Sequence, residues 1–384
     1  MARVLACTAA AAAAGGLALA WLTRRRRKSG SHPGAVCATV IFFGPALEFK
    51  DLVAKRLRTS WTVEAASSEP GALQSQLAAA TALVGGLPPA NEMLRGSGRR
   101  LRLLNVHFTG IDWLDKSAVP KGVTVCNATG MEVAIAEWVL GVMLRRVNGL
   151  EAEDAAMRER CRDAGVRGAD LGFAPPLYAS PLAPYRKELS ACTIGIVGYG
   201  LIGSHVASRA AAFGCKVIAT VGRAKPPAKP AELAWLGGGG QLRMLLEQSD
   251  FVVLACPLTA KTRGLIGSVE LGYMKTSSYL INVARGPVVD EGALYGALKR
   301  GDISGAAIDV WFRMPSVESG QRECAPYDLD KNPFHELPNV LLSPHTSGWS
   351  ETQQARRSAI IAANLDAIAE VKPLCNVVYR GGEA

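Results

Sequence analysis

The run "TIGIVGYGLIGSHVA" sets Gly198, Gly200 and Gly203 in G-x-G-x-x-G order, after a strand-like pattern and at the start of a helical one. In that setting the first glycine permits a tight turn and the second lets the backbone approach a pyrophosphate. The third lets helix and strand pack closely, and the helix N-terminus faces the anion. Gly198, Tyr199, Gly200, Leu201, Ile202 and Gly203 are therefore expected to hold a dinucleotide. A ribose with a free 2′-hydroxyl calls for a carboxylate about 20 residues further on. "GCKVIATVGRAKPP" places Val221, Gly222 and Arg223 there instead. The Val221 side chain accepts no hydrogen bond. Arg223 can pair bidentately with a 2′-phosphate, and Lys225 adds charge. The cofactor expected is NADP or NAD, with NADP favoured; the competing reading makes Arg223 and Lys225 solvated loop residues.

Such a turn needs an α/β frame. "AVCATVIFFG", "ATALVGGLPPA", "RLRLLNVHFTGID" and "GVTVCNATG" read as strands, and "ALEFKDLVAKRL" and "MEVAIAEWVLGVMLRRV" as helices. Strands alternating with helices imply a parallel sheet over residues 36–147. Charged "EAEDAAMRERCRD" and Pro/Gly-rich "GFAPPLYASPLAPY" then break the pattern and read as a connecting segment. A second α/β run extends from "ELSACTIGIVGYG" to about residue 345. The closing "SETQQARRSAIIAANLDAIAEV" is helical, with Ile360, Ile361, Ala363, Leu365 and Ile368 near one face. It comes too late for the second sheet and is expected to return to the first.

The 384 residues suit two domains. The net charge of +10 is concentrated: residues 1–47 hold six basic residues and no acid, which leaves +4 for the remainder. No second basic run or aromatic-basic interleaving follows, so nucleic acid is not expected as a partner. The nine cysteines include no C-x-x-C pair and read as reduced, mostly packed thiols, with no metal site. Residues 4–22 are uncharged and precede "TRRRRK". Nine of these 19 are alanine, which weakens insertion into a membrane. Residues 1–35 are read as an organelle-targeting segment or a membrane anchor, placing the protein in cytoplasm, plastid or mitochondrion.

Three further segments, "DFVVLACPLTAKTRGLIG", "MKTSSYLINVARGPVVDEGALYGALKRGDISGAAIDVW" and "FHELPNVLLSPHTSGW", resemble in order and spacing the D-isomer specific 2-hydroxyacid dehydrogenases. This family includes phosphoglycerate dehydrogenases and glyoxylate/hydroxypyruvate reductases. The resemblance is specific from about 188 to 348 and weaker over 38–147 and 350–378. It implies two Rossmann/flavodoxin-like parallel-sheet domains, the cofactor domain inserted into the substrate domain. The divisions would be 36–147 and 349–384 for substrate and 148–348 for the dinucleotide. A homodimer acting on a small 2-oxo or 2-hydroxy acid is implied.

Residue by residue, the resemblance makes Arg285 in "NVARGP" the clamp on the substrate carboxylate. His345 in "SPHTSG" becomes the group that gives a proton to the keto oxygen, or removes it in reverse. Competing readings are a surface ion pair for Arg285 and a packed core residue for His345. Phe108, Thr109 and Gly110 match the loop whose backbone N–H groups hold the carboxylate. Gly86 and Leu87 are further contacts. Cys256, Pro257, Val283, Ala284, Asp309 and Gly348 match cofactor positions. One departure stands out: the family places a glutamate where this chain has Met314 in "IDVWFRMPS". That glutamate raises the pKa of the histidine, which methionine cannot do. Glu318 or Glu323 would substitute for it, or His345 would work with a lower pKa. The missing acid also admits a different class, a dinucleotide-sensing corepressor-like binding protein with little turnover. Retention of both Arg285 and His345 favours the enzyme.

Overall fold

The computed structural model describes residues 38–87, 89–163, 186–223, 226–313 and 325–383. The segment 1–35, Lys225, Met314, Glu318 and Glu323 lie outside the described residues. So does all of the Pro/Gly-rich stretch 172–185. The charged start of the connection is helical, over Leu150–Asp163.

Two mainly parallel sheets carry the fold. The first contains β1 (Ala38–Phe42), β2 (Trp61–Ala65), β3 (Ala82–Gly85), β4 (Leu103–Val106) and β5 (Thr124–Asn127), in spatial order 2-1-3-4-5. β2, in "WTVEA", extends one edge beyond the strands expected. β13 (Val377–Arg380) pairs antiparallel with β5 at the other edge. The second sheet contains β6 (Thr193–Val197), β7 (Lys216–Thr220), β8 (Trp235–Gly237), β9 (Phe251–Leu254), β10 (Tyr279–Asn282), β11 (Gly305–Ile308) and β12 (Val340–Leu342). Its order is 12-11-10-9-6-7-8, so the winding reverses between β6 and β9. Apolar clusters cover both faces of each sheet, which explains the near-continuous hydrophobic runs of β3, β4, β9 and β10.

One helix departs from the simplest reading of the sequence. α1 (Glu132–Asn148) ends at Gly149, whose φ of 61° is the left-handed conformation that closes a helix. It follows the strands of the first sheet, and the expected grouping placed it there. Its residues Ile135, Val139 and Met143 instead share a cluster with Ile194, Ile196 and Val206 of the second sheet and of α2 (Leu201–Ala212). α3 (Glu291–Arg300) packs on the second sheet as expected. α4 (Glu351–Ala369) returns to the first sheet: Ile361 and Leu365 are fully buried among Phe42, Phe49, Leu103 and Cys126. Each such side chain contributes about 2 kcal/mol of burial. Ala363, expected on the buried face, is exposed; Ala362 and Asn364 take that face. Asp366, 1% exposed, fixes the helix by accepting from the Arg58 and Thr59 N–H groups, both at 3.0 Å.

Candidate active site

The glycine turn joins β6 to α2 at the reversal of strand order, where open α/β sheets bind ligands. Gly198 has φ of 104°, and a Cβ there would lie 2.6 Å from the Cys256 nitrogen, so only glycine fits. The Gly198 and Tyr199 N–H groups both donate to the Thr220 carbonyl, at 3.1 and 2.9 Å, tying the turn to the end of β7. Gly200 is the N-cap of α2 and brings no side chain to cap it. A Cβ added there meets nothing within 4 Å. The first-turn N–H groups of Leu201 and Ile202 thus lie at the open, positive end of a helix, a cradle fitted to a pyrophosphate, while Gly203 is buried against the Gly198 carbonyl. Gly222 and Arg223, just beyond β7, are exposed, and no ion pair engages Arg223 among the described residues.

The other expected cofactor positions also lie at strand ends. Cys256 and Pro257 follow β9; Cys256 is buried against the glycine turn and Pro257 is exposed. Burial pushes the Cys256 thiol up to about 11, so it carries no thiolate at neutral pH. Val283 and Ala284 follow β10 and are 5% exposed. Gly348 is buried against Met131 and Ile135 at the start of α1.

On the first sheet, Phe108, Thr109 and Gly110 follow β4. Their carbonyls and neighbours are pulled backwards. The Asn127 amide donates to the Thr109 carbonyl at 2.6 Å, Trp113 Nε1 to the Gly110 carbonyl at 3.2 Å and Arg357 Nε to the His107 carbonyl at 2.6 Å. No acceptor among the described residues takes the N–H groups of Phe108, Thr109 or Gly110. Three outward N–H groups on one turn make an anion-binding concavity. Phe108 itself turns inward and packs over Gly86 and against Trp113. Leu87 takes a positive φ of 72° beside this loop.

Arg285 meets that loop from the opposite sheet. Its Nε donates to Asp112 Oδ1 at 3.1 Å and its Nη1 to the Ala284 carbonyl at 2.8 Å. Nη2 lies so close to Gly110 that a Cβ there would collide with it. Arg285 thus does make an ion pair, but one that joins the turn after β10 to the turn after β4.

His345 is solvent-accessible, which rules out a packed core residue. Its φ of 61° is a left-handed conformation uncommon for a side-chain-bearing residue. Asp309 holds it there. Its carboxylate, 1% exposed, accepts from Ser343 Oγ at 2.6 Å, the Thr346 N–H at 2.9 Å and the Ser347 N–H at 3.1 Å, and from Ser347 Oγ. Asp309 therefore serves the His345 loop from within the fold. The surrounding protein lowers the His345 pKa below its ordinary 6.5, Asp309 opposes this and Arg285 adds to it. An imidazole and a set of free backbone N–H groups thus both lie near one guanidinium. Together they can bind a carboxylate and exchange a proton beside it.

Asp112, Asn127, Trp113 and Arg357 were not expected from sequence. Asp112 lies two residues past Gly110, but nothing linear links it to Arg285. Among the described residues no group of three His, Cys, Asp or Glu is placed to hold a metal. No helix among them is long and apolar enough to cross a membrane.

Residues 163–347 match the family model of the D-isomer specific 2-hydroxyacid dehydrogenase NAD binding domain. The chain is 33% identical over 286 residues to a glyoxylate reductase of Thermococcus litoralis, covering 73% of this chain and 78% of that one. It is 31% identical over 288 residues to a D-3-phosphoglycerate dehydrogenase of Methanocaldococcus jannaschii, covering 73% of this chain. There it spans 48%, about half, of the relative's length. A D-isomer specific 2-hydroxyacid dehydrogenase from Xanthobacter autotrophicus Py2, solved in complex with NADPH and MES, superposes with a TM-score of 0.68. That likeness, at 23% identity, covers 90% of this chain and 98% of the other and speaks to the fold. The class is that of nicotinamide-dependent oxidoreductases with two Rossmann-type units. Within it, this chain belongs to the D-isomer specific 2-hydroxyacid dehydrogenase family.

Proposed function

We propose that this protein reduces a small 2-oxo acid, of the size of glyoxylate or hydroxypyruvate, to the 2-hydroxy acid. The observation that carries the reading is Arg285, which is held against the Phe108–Gly110 turn while its charge acts on His345. A nicotinamide cofactor held at the Gly198–Gly203 turn would supply a hydride for the carbonyl carbon. Arg285 and the free N–H groups of the turn hold the substrate carboxylate and polarise the neighbouring keto oxygen. His345, protonated, gives its proton to that oxygen as negative charge develops; in reverse, neutral His345 removes it.

The cofactor favoured is NADP over NAD. The exposed, unengaged Arg223 beyond β7 and the lack of an acid there support a 2′-phosphate. Residues 36–147 with 349–384 would form the substrate domain and 148–348 the cofactor domain, with α1 carried across to the latter's core. A homodimer is the expected assembly. Residues 1–35 act as a targeting segment or an anchor in this reading. Steady-state rates of the Arg285→Ala and His345→Gln proteins test it. Both should lose turnover of 2-oxo acids while keeping affinity for NADPH.

A further inference from the structure

Arg285 offers five N–H donors in a rigid fork. One, on Nε, is committed to Asp112 and one, on Nη1, to the Ala284 carbonyl. The three that remain all sit on the Nη atoms. Asp112 comes from the turn after β4 and Arg285 from the turn after β10, so this ion pair ties the tips of the two sheets together. Both side chains are about one-third exposed, at 31% and 30%, so water reaches the pair but does not surround it.

We propose that Asp112 is a positioning residue: it holds Arg285 Nε so that the Nη edge faces the carboxylate of a 2-oxo acid seated on the Phe108–Gly110 turn. This rests on the function proposed above and adds a specificity determinant to that site. A long arginine side chain facing an open cleft otherwise samples many rotamers, and one fixed at Nε loses less freedom on binding.

The test compares full-length wild-type protein with Asp112→Ala, Asp112→Asn and Arg285→Ala. Two readouts are taken in the presence of saturating NADPH: affinity for oxamate, an unreactive isostere of a 2-oxo acid, and initial rates of 2-oxo acid reduction against pH. Far-UV circular dichroism and NADPH affinity show whether each protein is folded. Asp112→Ala should weaken oxamate and raise KM by about tenfold to a hundredfold, with NADPH affinity unchanged. Asp112→Asn keeps an acceptor for Nε and should recover most of that affinity. That recovery separates an acceptor for Nε from a general loss of loop rigidity, which the substitution would not restore. Wild-type oxamate affinity and KM in both Asp112 variants, with binding lost in Arg285→Ala, would overturn the proposal while leaving the function intact. A wild-type chain that neither binds oxamate nor reduces any 2-oxo acid would overturn the function, and the role of Asp112 with it.

Discussion

At the scale of single residues, the site is a set of charges whose partners are already chosen. His345 carries the clearest sign. Desolvation by the surrounding protein lowers its pKa from 6.5, outweighing Asp309, so the imidazolium needed for reduction is lost as pH rises through a value below 6.5. Reduction should therefore decline with rising pH already on the acid side of neutrality, whereas oxidation of the 2-hydroxy acid should rise through the same value. Initial rates in both directions across pH 5 to 9 check this; a reduction rate flat to pH 8 would contradict it. Replacing His345 by glutamine should lower kcat by roughly 10²- to 10⁴-fold. Arg223→Ala should raise KM for NADPH about tenfold and leave NADH unchanged, which competing kinetics with the two cofactors would show. Gly110→Ala makes a sharper case. The added methyl strikes the far end of the Arg285 side chain, which can move, so the fold should tolerate it within about 1 kcal/mol by urea unfolding. The displaced guanidinium should nonetheless lower kcat/KM by about tenfold or more.

At the scale of elements, the strands that end at the site were legible because parallel strands buried on both faces write themselves as apolar runs. The glycine turn was legible because its backbone has no substitute at Gly198. What stayed hidden depends on contacts between distant segments. α1 follows the first sheet in the chain, yet its apolar face belongs to the second, and periodicity reports a face without naming what it meets. α4 buries Gln353, Arg357, Asn364 and Asp366 as well as its aliphatic residues, so a hydrophobic pattern misplaces its inner face. Asp112 and Arg285 are 173 residues apart, and no spacing rule joins them. The support behind the substrate turn has its own signature. His107, 4% exposed, has its pKa depressed to about 4, first by burial and then by Arg357. The unfolded chain takes up that proton near pH 6.5 and the folded one does not, so stability falls with pH from about 6.5 down to 4. Between pH 7 and 5 this should cost about 2 kcal/mol. Urea midpoints of wild type and His107→Gln at the two pH values test it: the variant should lose less on acidification.

At the scale of the whole molecule, two sheets with different windings turn their carboxyl strand ends to a common chemistry. The second sheet offers the dinucleotide cradle at its switch point, and its β10 turn sends Arg285 to the substrate turn of the first. The charge of the described fold is modest once the basic N-terminal run is set aside, which suits a small anionic substrate drawn by a few placed groups rather than by a broad field. The central claim is that this arrangement reduces 2-oxo acids. The measurement that tests it most directly is the initial rate of the full-length protein with NADPH and with NADH on glyoxylate and on hydroxypyruvate, from pH 5.5 to 8.5. The account expects turnover that prefers NADPH, falls as pH rises and disappears in Arg285→Ala. Tight cofactor binding with no turnover of either acid at any pH would contradict it and mark a dinucleotide-binding protein that has kept the fold without the reaction.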